Sequence, residues 1–372
     1  MVDKNLKLGL CGTSFKDHEF RLPIHPQHLA NLDSQTRENL FLEEGYGEGF
    51  GISSDFLKQH IKNIVPRQVL FEQCDAIVLL KPTKHDFRFF QENQIILGWL
   101  DCRYYHELNQ VGINKKMTFI ALEFMYFWQD EKTRTKHIFD RNNELGGYCS
   151  VWHSLEVLNM ARYNNTSKPI AILGFGNTTR GAISALDKLG YKDITIFTRR
   201  QYHDLKNPIS GVNYYHYNCV ASPDSKNYVI PMAKNQDYLL VKELANYDII
   251  INCINQEHNA VVKFICNQQL KYFKPGTIII DVSLDLPMAF EFGKFTSFSE
   301  PFFEVGTGVI YYGVDNSPSY LWQEATYQVS KAFLPYVKTI MAGEETWKKD
   351  LTIWNAIDIK NGIPQNPALN FF

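Results

Sequence analysis

Gly174 and Gly176 form a turn between the short apolar run Ile170–Leu173 and a segment that begins at Asn177 with apolar residues at helical spacing. This pattern predicts a buried strand, a tight turn and a helix. Residues without a Cβ let the backbone approach a pyrophosphate, and the unpaired N–H groups of a helix N-terminus favour an anion. We therefore predict a dinucleotide site contacted by both glycines, Asn177 and Thr178. An empty Rossmann-like turn is the alternative, since a threonine replaces the third glycine of the GxGxxG fingerprint.

The next predicted strand, 194–197, ends in Thr198, Arg199 and Arg200. A cofactor with a free ribose 2′-OH usually meets Asp or Glu at this place, whereas guanidinium groups pair with a 2′-phosphate. These residues therefore indicate NADP(H). Two arginines that merely solvate the strand end are the alternative.

Two later strands are predicted at 247–253 and 277–282. Ligands bind at the carboxyl ends of parallel strands, so we also assign Cys253, Ile254 and Val282 to the cofactor. For the cysteine, a simple packing role is the alternative.

Arg21 and Lys81 are candidate binding residues. Lys81 follows the apolar run 76–80, so its ammonium is expected at the carboxyl end of a strand. A lysine partly withdrawn from water can serve imine formation and proton transfer, although a snorkelling surface lysine is the alternative. Arg21 offers a rigid bidentate fork to a carboxylate, or else is a solvated surface charge.

The composition excludes several classes of protein. The 372 residues, 45% apolar and 21% charged, suffice for two domains with sizeable cores. A net charge of −2 argues against nucleic acid or an anionic membrane as a partner. No apolar run reaches membrane-spanning length and no secretory signal pattern begins the sequence. Seven scattered cysteines without metal-site spacing indicate reduced thiols, so we expect a cytoplasmic protein without a metal.

Short apolar runs alternate with helix-compatible segments over the first part of the chain, which indicates a parallel α/β fold. The runs lie at 6–11, 69–71, 76–80, 95–97 and 119–122, and the helix-compatible segments include 55–64 and 87–93. Helices are also predicted at 146–163 and at Trp322–Met341. We predict two Rossmann-like, doubly wound parallel-sheet domains with a ligand cleft between them. A substrate domain, 1–149 with 319–372, surrounds an inserted NADP(H)-binding domain, 150–318.

Five motifs occur in the order FKDHEFRLPIHP, LLKP, GFGNTTRG, IIIDVSLD and DNSPS. Together they resemble the alanine dehydrogenase and transhydrogenase α-subunit family over nearly the whole chain. Within it, FLEEGYGEGFGI, CDAIVLLKP and QIILGW are most similar to the N5-(carboxyethyl)ornithine synthases. The resemblance implies an oxidoreductase acting on CH–NH groups and a homo-oligomer. Enzymes of this branch join pyruvate to the side-chain amine of ornithine or lysine and reduce the imine with NADPH.

The resemblance also implies roles for single residues. Arg21 binds the substrate carboxylate, Lys81 contacts the keto acid and assists proton transfer, and Asp285 is a catalytic aspartate near the nicotinamide. Asn316 and Ser317 match the segment that contacts the nicotinamide carboxamide. Asparagine and serine before a proline are also typical of a turn and a helix start.

The main departure from the family is Asp101, which stands where the relatives carry a histidine after GW. A carboxylate cannot donate a proton as an imidazolium does. Asp101 either binds the amine of an amino-acid co-substrate or accepts a proton during imine formation. His106 is a candidate replacement for the imidazole and a substrate-binding residue, or else a surface histidine.

The sequence therefore predicts NADPH-dependent reductive condensation of a 2-oxo acid, pyruvate foremost, with the amine of an amino acid such as ornithine or lysine. One alternative is an alanine- or saccharopine-type amino-acid dehydrogenase. The other is a non-catalytic protein that binds NADP(H). In each case we expect small-molecule ligands and a homo-oligomer, with no nucleic-acid or membrane partner.

Overall fold

The computed structural model describes residues 5–160, 167–222, 228–233, 238–256, 261–284 and 289–365. The chain divides into a first compact unit, Met1–Asn142 with Leu321–Phe372, and a second, Asn143–Tyr320. The domain limits predicted from the sequence, 1–149 with 319–372 and 150–318, stay a prediction.

Strands and helices alternate through the described residues. The strands are β1 Leu8–Leu10, β2 Leu40–Glu43, β3 Asn63–Val65, β4 Ala76–Val78, β5 Ile95–Gly98, β6 Thr118–Ala121, β7 Tyr126–Trp128, β8 Arg134–His137, β9 Ile170–Leu173, β10 Ile194–Thr198, β11 Asn213–His216, β12 Asn218–Ala221, β13 Tyr228–Met232, β14 Ile249–Asn252, β15 Val261–Val262, β16 Ile278–Asp281, β17 Phe302–Val305, β18 Val309–Tyr312, β19 Ile357–Lys360 and β20 Ile363–Pro364. The α-helices are α1 Ser34–Glu38, α2 Ser54–Lys58, α3 Arg67–Gln73, α4 His106–Asn114, α5 Asp140–Val157, α6 Asn177–Lys188, α7 Leu240–Leu244, α8 Trp322–Met341, α9 Glu344–Trp347 and α10 Leu351–Trp354. The 3₁₀ helices are Pro26–Asn31, Glu48–Phe50, Leu122–Phe124, Tyr202–Asp204, Asn267–Tyr272 and Ser317–Leu321.

The first unit is built on a sheet with the strand order β20-β19-β6-β5-β4-β1-β2-β3. Strands β1 to β6 are parallel, and β19 and β20 extend one edge in antiparallel fashion. The direction of strand addition reverses between β1 and β4. In doubly wound sheets, ligands bind outside the carboxyl ends of the strands at such a reversal.

The second unit repeats this topology in the order β11-β10-β9-β14-β16-β18-β17, with only β17 antiparallel among these strands. Its reversal lies between β9 and β14. Ile170 and Ile172 belong to the core on one face, whereas Ala171 and Leu173 belong to the core on the other. Burial on both faces explains why β9 reads as an unbroken apolar run. The predicted fold class, two doubly wound parallel-sheet domains, is confirmed.

Two element predictions are confirmed to the residue, and four are wrong in type or in extent. β9 and α8 begin and end as predicted. The predicted helix 55–64 is α2, which ends at Lys58, and residues 63–64 lie in β3. The run 69–71 lies in helix α3, where Leu70 and Phe71 are buried on one face, because short apolar runs do not distinguish a strand from a buried helix. The predicted helix 146–163 is α5, which begins six residues earlier and ends at Val157, and 87–93 forms turns instead of a helix. No helix in the described part of the chain is long and apolar enough to cross a membrane.

Candidate functional site

Lys81 and Asp101 meet at the carboxyl edge of the first sheet. Lys81 follows β4 and Asp101 follows the neighbouring strand β5, so parallel pairing brings their loops together. Lys81 Nζ lies 2.8 Å from Asp101 Oδ2, and the lysine side chain is 12% exposed while that of the aspartate is 42% exposed. The structure thus joins two predicted catalytic residues in one ion pair, with its carboxylate turned toward solvent.

A buried carboxyl group that sequence reasoning missed, Glu123, holds the Asp101 loop in place. The backbone N–H of Asp101 donates to Glu123 Oε1 at 2.7 Å, and that of Leu100 donates to Oε2 at 3.3 Å. Asp101 itself adopts a left-handed backbone conformation with φ 49°. Burial first, and then the negative charges of Asp101 and Asp358, raise the pKa of Glu123 to about 8. The only feature of the sequence that could have indicated Glu123 is that this acidic residue directly follows a predicted strand.

Two histidines near this loop differ in their surroundings. His137 accepts a hydrogen bond at Nδ1 from the Phe139 N–H at 3.1 Å, which places its proton on Nε2, 3.1 Å from the carbonyl oxygen of Glu123. Burial lowers the pKa of His137 to about 4, so this imidazole stays neutral and bound to the backbone. His106, the predicted replacement for the missing imidazole, is the exposed first residue of α4. Its predicted role in binding substrate stays a prediction.

Arg21 is buried and already paired with a carboxylate. Its Nη2 and Nε donate to the two oxygens of Glu19 at 2.5 and 2.8 Å, and Nη1 donates to Asn142 Oδ1 at 3.3 Å. Its guanidinium carbon lies 5.0 Å from the ring centre of Trp99, and its side chain is 2% exposed. Glu19 therefore holds two nitrogens of the guanidinium group, and Nη1 makes the longer contact with Asn142.

A second buried network fastens the loops around Lys81. Glu43, at the end of β2, accepts hydrogen bonds from the Thr13 N–H at 3.0 Å and from Arg67 Nη1 at 3.1 Å. Arg67 also pairs with Asp86, which accepts from the Thr83 N–H at 2.7 Å. The loops after β1 and β4, which flank the strand-order reversal, are thus tied to one guanidinium. Sequence reasoning missed these residues because they lie far apart along the chain.

The glycine turn of the second unit lies at the corresponding reversal. Gly174 has φ +95°, and a Cβ there would lie 2.7 Å from Ile254 Cγ1 and 3.2 Å from the Cys253 carbonyl oxygen. The structure therefore brings together three of the predicted cofactor residues. Thr179, in the place of the third glycine, donates its hydroxyl to the Gly174 carbonyl oxygen at 3.0 Å and closes the turn. Burial raises the pKa of Cys253 to about 12, so its thiol stays protonated.

Contacts within the described part of the protein do not require glycine at position 176. Its backbone is extended, with φ −146° and ψ −163°, a conformation that any residue adopts. Among the described residues, a Cβ at this position meets no heavy atom within 4 Å. A missing side chain at the N-terminus of α6 instead suits the close approach of a pyrophosphate. Asn177 and Thr178 form the first turn of this helix, and their contacts with a cofactor stay a prediction.

Gly181 serves helix packing. A Cβ at Gly181 would lie 1.8 Å from the Glu144 carbonyl oxygen, and one at Gly147 would lie 1.9 Å from the Thr178 carbonyl oxygen. Helices α5 and α6 therefore cross with their backbones in contact. The packing glycine comes two residues after the usual third position of the fingerprint, which explains the departure seen in the sequence.

The two predicted arginines, Arg199 and Arg200, make different contacts. Arg180 and Arg200 both stack on the ring of Phe175. Arg200 donates to the Phe175 carbonyl oxygen, and its guanidinium carbon lies 5.6 Å from the centre of that ring. Arg180 stacks on the same ring at 4.9 Å. Arg199 instead hydrogen-bonds the Cys219 thiol, whose pKa is raised by burial and lowered in part by this arginine. Two guanidinium groups thus flank the glycine turn, although the sequence drew attention to only one of them.

The other predicted cofactor residues lie on loops after β14, β16 and β18, except Thr198, which is the last residue of β10. Asp281 accepts from Asn252 Nδ2 and from the Tyr311 hydroxyl, both at 2.8 Å, and so ties the strand ends that precede Cys253 and Val282. Thr198 is buried at the end of β10, where its hydroxyl accepts from the Arg200 N–H at 3.1 Å.

Asn316 and Ser317 are buried at a turn and helix start, as the sequence indicated. The Ser317 hydroxyl donates to the Gly146 carbonyl oxygen at 3.3 Å, and the 3₁₀ helix begins at Ser317 itself. Asp285, the predicted catalytic aspartate, lies outside the described residues. In the described part of the chain, no group of three His, Cys, Asp or Glu residues could hold a metal ion.

Comparisons with known proteins agree along the chain. Residues 14–136 match the family model described as "Alanine dehydrogenase/PNT, N-terminal domain", and residues 167–365 match "Alanine dehydrogenase/PNT, C-terminal domain". An N(5)-(carboxyethyl)ornithine synthase of Clostridium botulinum is 27% identical over 89% of this chain and 94% of its own length. An alanine dehydrogenase of Methanococcus maripaludis is 23% identical over 87% and 85%. A solved L-alanine dehydrogenase has the same fold, with a TM-score of 0.74, 20% identity and 98% of each chain covered.

Proposed function

The chain belongs to the alanine dehydrogenase/PNT family, and from this membership we propose that it catalyses the NADPH-dependent condensation of a 2-oxo acid with the amine of an amino acid. Pyruvate is the proposed 2-oxo acid, and ornithine or lysine the proposed amine. The product is an N-(carboxyalkyl)amino acid. The similarity to a carboxyethylornithine synthase over 89% of the chain supports this choice over an ammonia-using dehydrogenase.

The observation that carries the proposal is the ion pair between Lys81 and Asp101. Lys81 occupies Oδ2 of the aspartate, whose side chain is still 42% exposed. A half-exposed carboxylate attracts an ammonium group and, once the amine has arrived, accepts a proton from it. The Lys81 ammonium polarises the keto oxygen next to it. The exposed carboxylate of Asp101 thus offers a binding place for the ammonium group of an amino-acid co-substrate.

The reaction forms a carbon–nitrogen bond between the amine and the keto carbon, with loss of water, and reduction of the imine follows. NADPH supplies the hydride for that reduction when bound. In this proposal Arg21 binds the substrate carboxylate through Nη1 while Glu19 keeps the guanidinium in place. Asp285 retains the catalytic role that the family resemblance implies.

The cofactor assignment is NADP(H) rather than NAD(H). Arg200, together with Arg180, supplies the positive charge for a 2′-phosphate beside the glycine turn. Gly174 and Gly176 leave room for the pyrophosphate at the N-terminus of α6. Asn316 retains its proposed contact with the carboxamide.

The test is NADPH oxidation by purified protein with pyruvate and, separately, ornithine, lysine and ammonia, with product masses recorded. We expect turnover with a diamino acid and a product mass equal to amine plus keto acid, less water, plus two hydrogens. Turnover with ammonia to give alanine would contradict the choice of amine. Absence of oxidation with every amine would contradict the proposed activity.

A further inference from the structure

A cavity of about 510 Å³ in the first unit lies at the carboxyl ends of β1 and β2. Its wall includes Thr13 and Ser14, which follow β1, and residues 47–50, which follow β2. Lys16 also lines it and contributes a positive charge. In doubly wound sheets, ligands bind at this end of the parallel strands. The cavity therefore lies at the edge of the sheet where a ligand is expected.

The cavity wall contacts both residues that are proposed to hold the keto acid. Ser14 donates its hydroxyl to the Lys81 carbonyl oxygen at 3.4 Å. Glu19, also in the wall, accepts from Arg21 through its two carboxylate oxygens at 2.5 and 2.8 Å. The Lys81 ammonium, at the other end of that side chain, lies 2.8 Å from Asp101. A single lysine residue therefore connects the cavity wall with the carboxylate proposed to bind the reacting amine.

Aromatic rings and a carboxylate stand together in this wall. The ring centre of Trp322 lies 4.7 Å from that of Phe50 and 6.3 Å from that of Phe20, and Phe20 is 55% exposed. A Cβ at Gly49 would lie 3.2 Å from Trp322 Cη2, so the loop that carries Glu48 runs along the indole ring. Glu48 is exposed, and its carboxylate makes no hydrogen bond or ion pair with any other residue that the structure describes. A carboxylate next to aromatic rings attracts an ammonium group.

We propose that this cavity binds the α-ammonium group of the amino-acid co-substrate, through the Glu48 carboxylate and the rings of Phe20 and Trp322. The inference rests on the proposed function and assigns a place to the end of the co-substrate that does not react. A lysine substrate has the same side chain as Lys81, and that of ornithine is one methylene shorter. A substrate that runs alongside Lys81 therefore brings its terminal amine to Asp101 while its α-ammonium group stays in the cavity.

The test compares ornithine with 5-aminopentanoate, which has the same terminal amine and carboxylate but no α-ammonium group, at saturating pyruvate and NADPH. We expect the wild type to favour ornithine in kcat/KM by about 10- to 100-fold, the range of one charged hydrogen-bonded contact. Glu48→Gln removes most of this preference, because an amide keeps the size of the side chain but attracts no cation. Phe20→Leu reduces the preference by a factor of about 2 to 5, the range of one exposed cation–π contact.

Glu44→Gln is the matched control. Glu44 is an exposed glutamate of the same loop and lies outside the cavity wall, so the preference for ornithine stays at the wild-type value. A wild type without this preference, or a full preference in Glu48→Gln, would overturn the inference, while turnover with ornithine leaves the proposed function intact. If no amine supports NADPH oxidation, the proposed function fails and calorimetry with ornithine decides instead. Binding weakened by Glu48→Gln but not by Glu44→Gln supports the cavity, and equal or undetectable binding overturns it.

Discussion

The carboxylate of Asp101 lies 2.8 Å from the ammonium of Lys81, and its backbone N–H is bound to Glu123 at 2.7 Å. The side chain therefore meets a cation on one side while the main chain is anchored to a buried acid. The left-handed φ of 49° is uncommon outside glycine, and this double attachment holds the loop in it. The loop position that departs from the family is thus held by two contacts, one through its side chain and one through its backbone.

We expect Asp101→Asn to lower kcat/KM for the amine substrate by about 10²-fold or more, the usual contribution of a positioned acid–base group. An amide neither attracts an ammonium nor accepts its proton, although it keeps the size of the side chain. Steady-state kinetics with varied ornithine checks this. Asp55→Asn is a matched control, because Asp55 also pairs with a lysine but is 89% exposed and far from the loop in sequence. Equal kinetics in the two variants would remove Asp101 from the reaction.

Glu123→Gln should change how stability depends on pH. The pKa of Glu123 is raised from 4.5 to about 8 in the folded protein, so between these values the folded state holds a proton that the unfolded state has released. The free energy of unfolding therefore falls as pH rises through this window, by at most about 1.4 kcal/mol per pH unit for one group. Urea unfolding at pH 5.5 and pH 8 measures it.

The glutamine variant lacks this titration, while all other groups titrate as in the wild type. Wild-type protein should thus lose more stability than Glu123→Gln between the two pH values. A parallel loss in both proteins would show that Glu123 is ionised throughout the window.

Arg200→Ala is expected to weaken NADPH binding by about 10- to 100-fold, because a charged hydrogen bond to the 2′-phosphate is lost. NADH lacks that phosphate and serves as the control ligand, so its Kd should change little. Arg180→Ala should act in the same direction, since both guanidinium groups stack on Phe175. Fluorescence titration of both variants with NADPH and with NADH gives four Kd values, each of which is compared with the wild-type value. A similar loss for NADPH and NADH would place these arginines away from the 2′-position.

Much of the fold could be predicted from local patterns. The apolar run of β9, its glycine turn and the helix α6 are specified by neighbouring residues, and α8 by its 3.6-residue period. Alternation of strands and helices predicts a parallel sheet, whereas the strand order is known only from the structure. Lys81 was identified from the apolar run before it and Asp101 from its place in the family resemblance, but their ion pair depends on parallel pairing of β4 with β5.

Contacts between distant segments could not be predicted in this way. Glu123 binds a loop 22 residues away, and Arg67 joins Glu43 and Asp86 from a helix whose apolar run resembles a strand. Arg180 stood within a recognised motif, yet only the three-dimensional course of β10 brings it beside Arg200. Residues that position other residues lie at irregular separations along the chain, so no spacing pattern in a single sequence identifies them.

Gly176 and Gly181 allow cofactor binding and packing to be tested separately within one motif. Gly176→Ala should leave the free energy of unfolding within about 1 kcal/mol of the wild type, because its backbone is extended and a Cβ meets no described atom within 4 Å. Its NADPH affinity should nevertheless fall, since the methyl group occupies the space needed by the pyrophosphate.

Gly181→Ala should do the reverse. Its Cβ would lie 1.8 Å from the Glu144 carbonyl oxygen, so α5 and α6 must separate, at a cost of about 1–3 kcal/mol or more. Thermal unfolding and NADPH titration of both variants distinguish the two effects. If Gly176→Ala binds NADPH as tightly as the wild type, the glycine turn does not carry the pyrophosphate, and the cofactor must approach this sheet edge elsewhere.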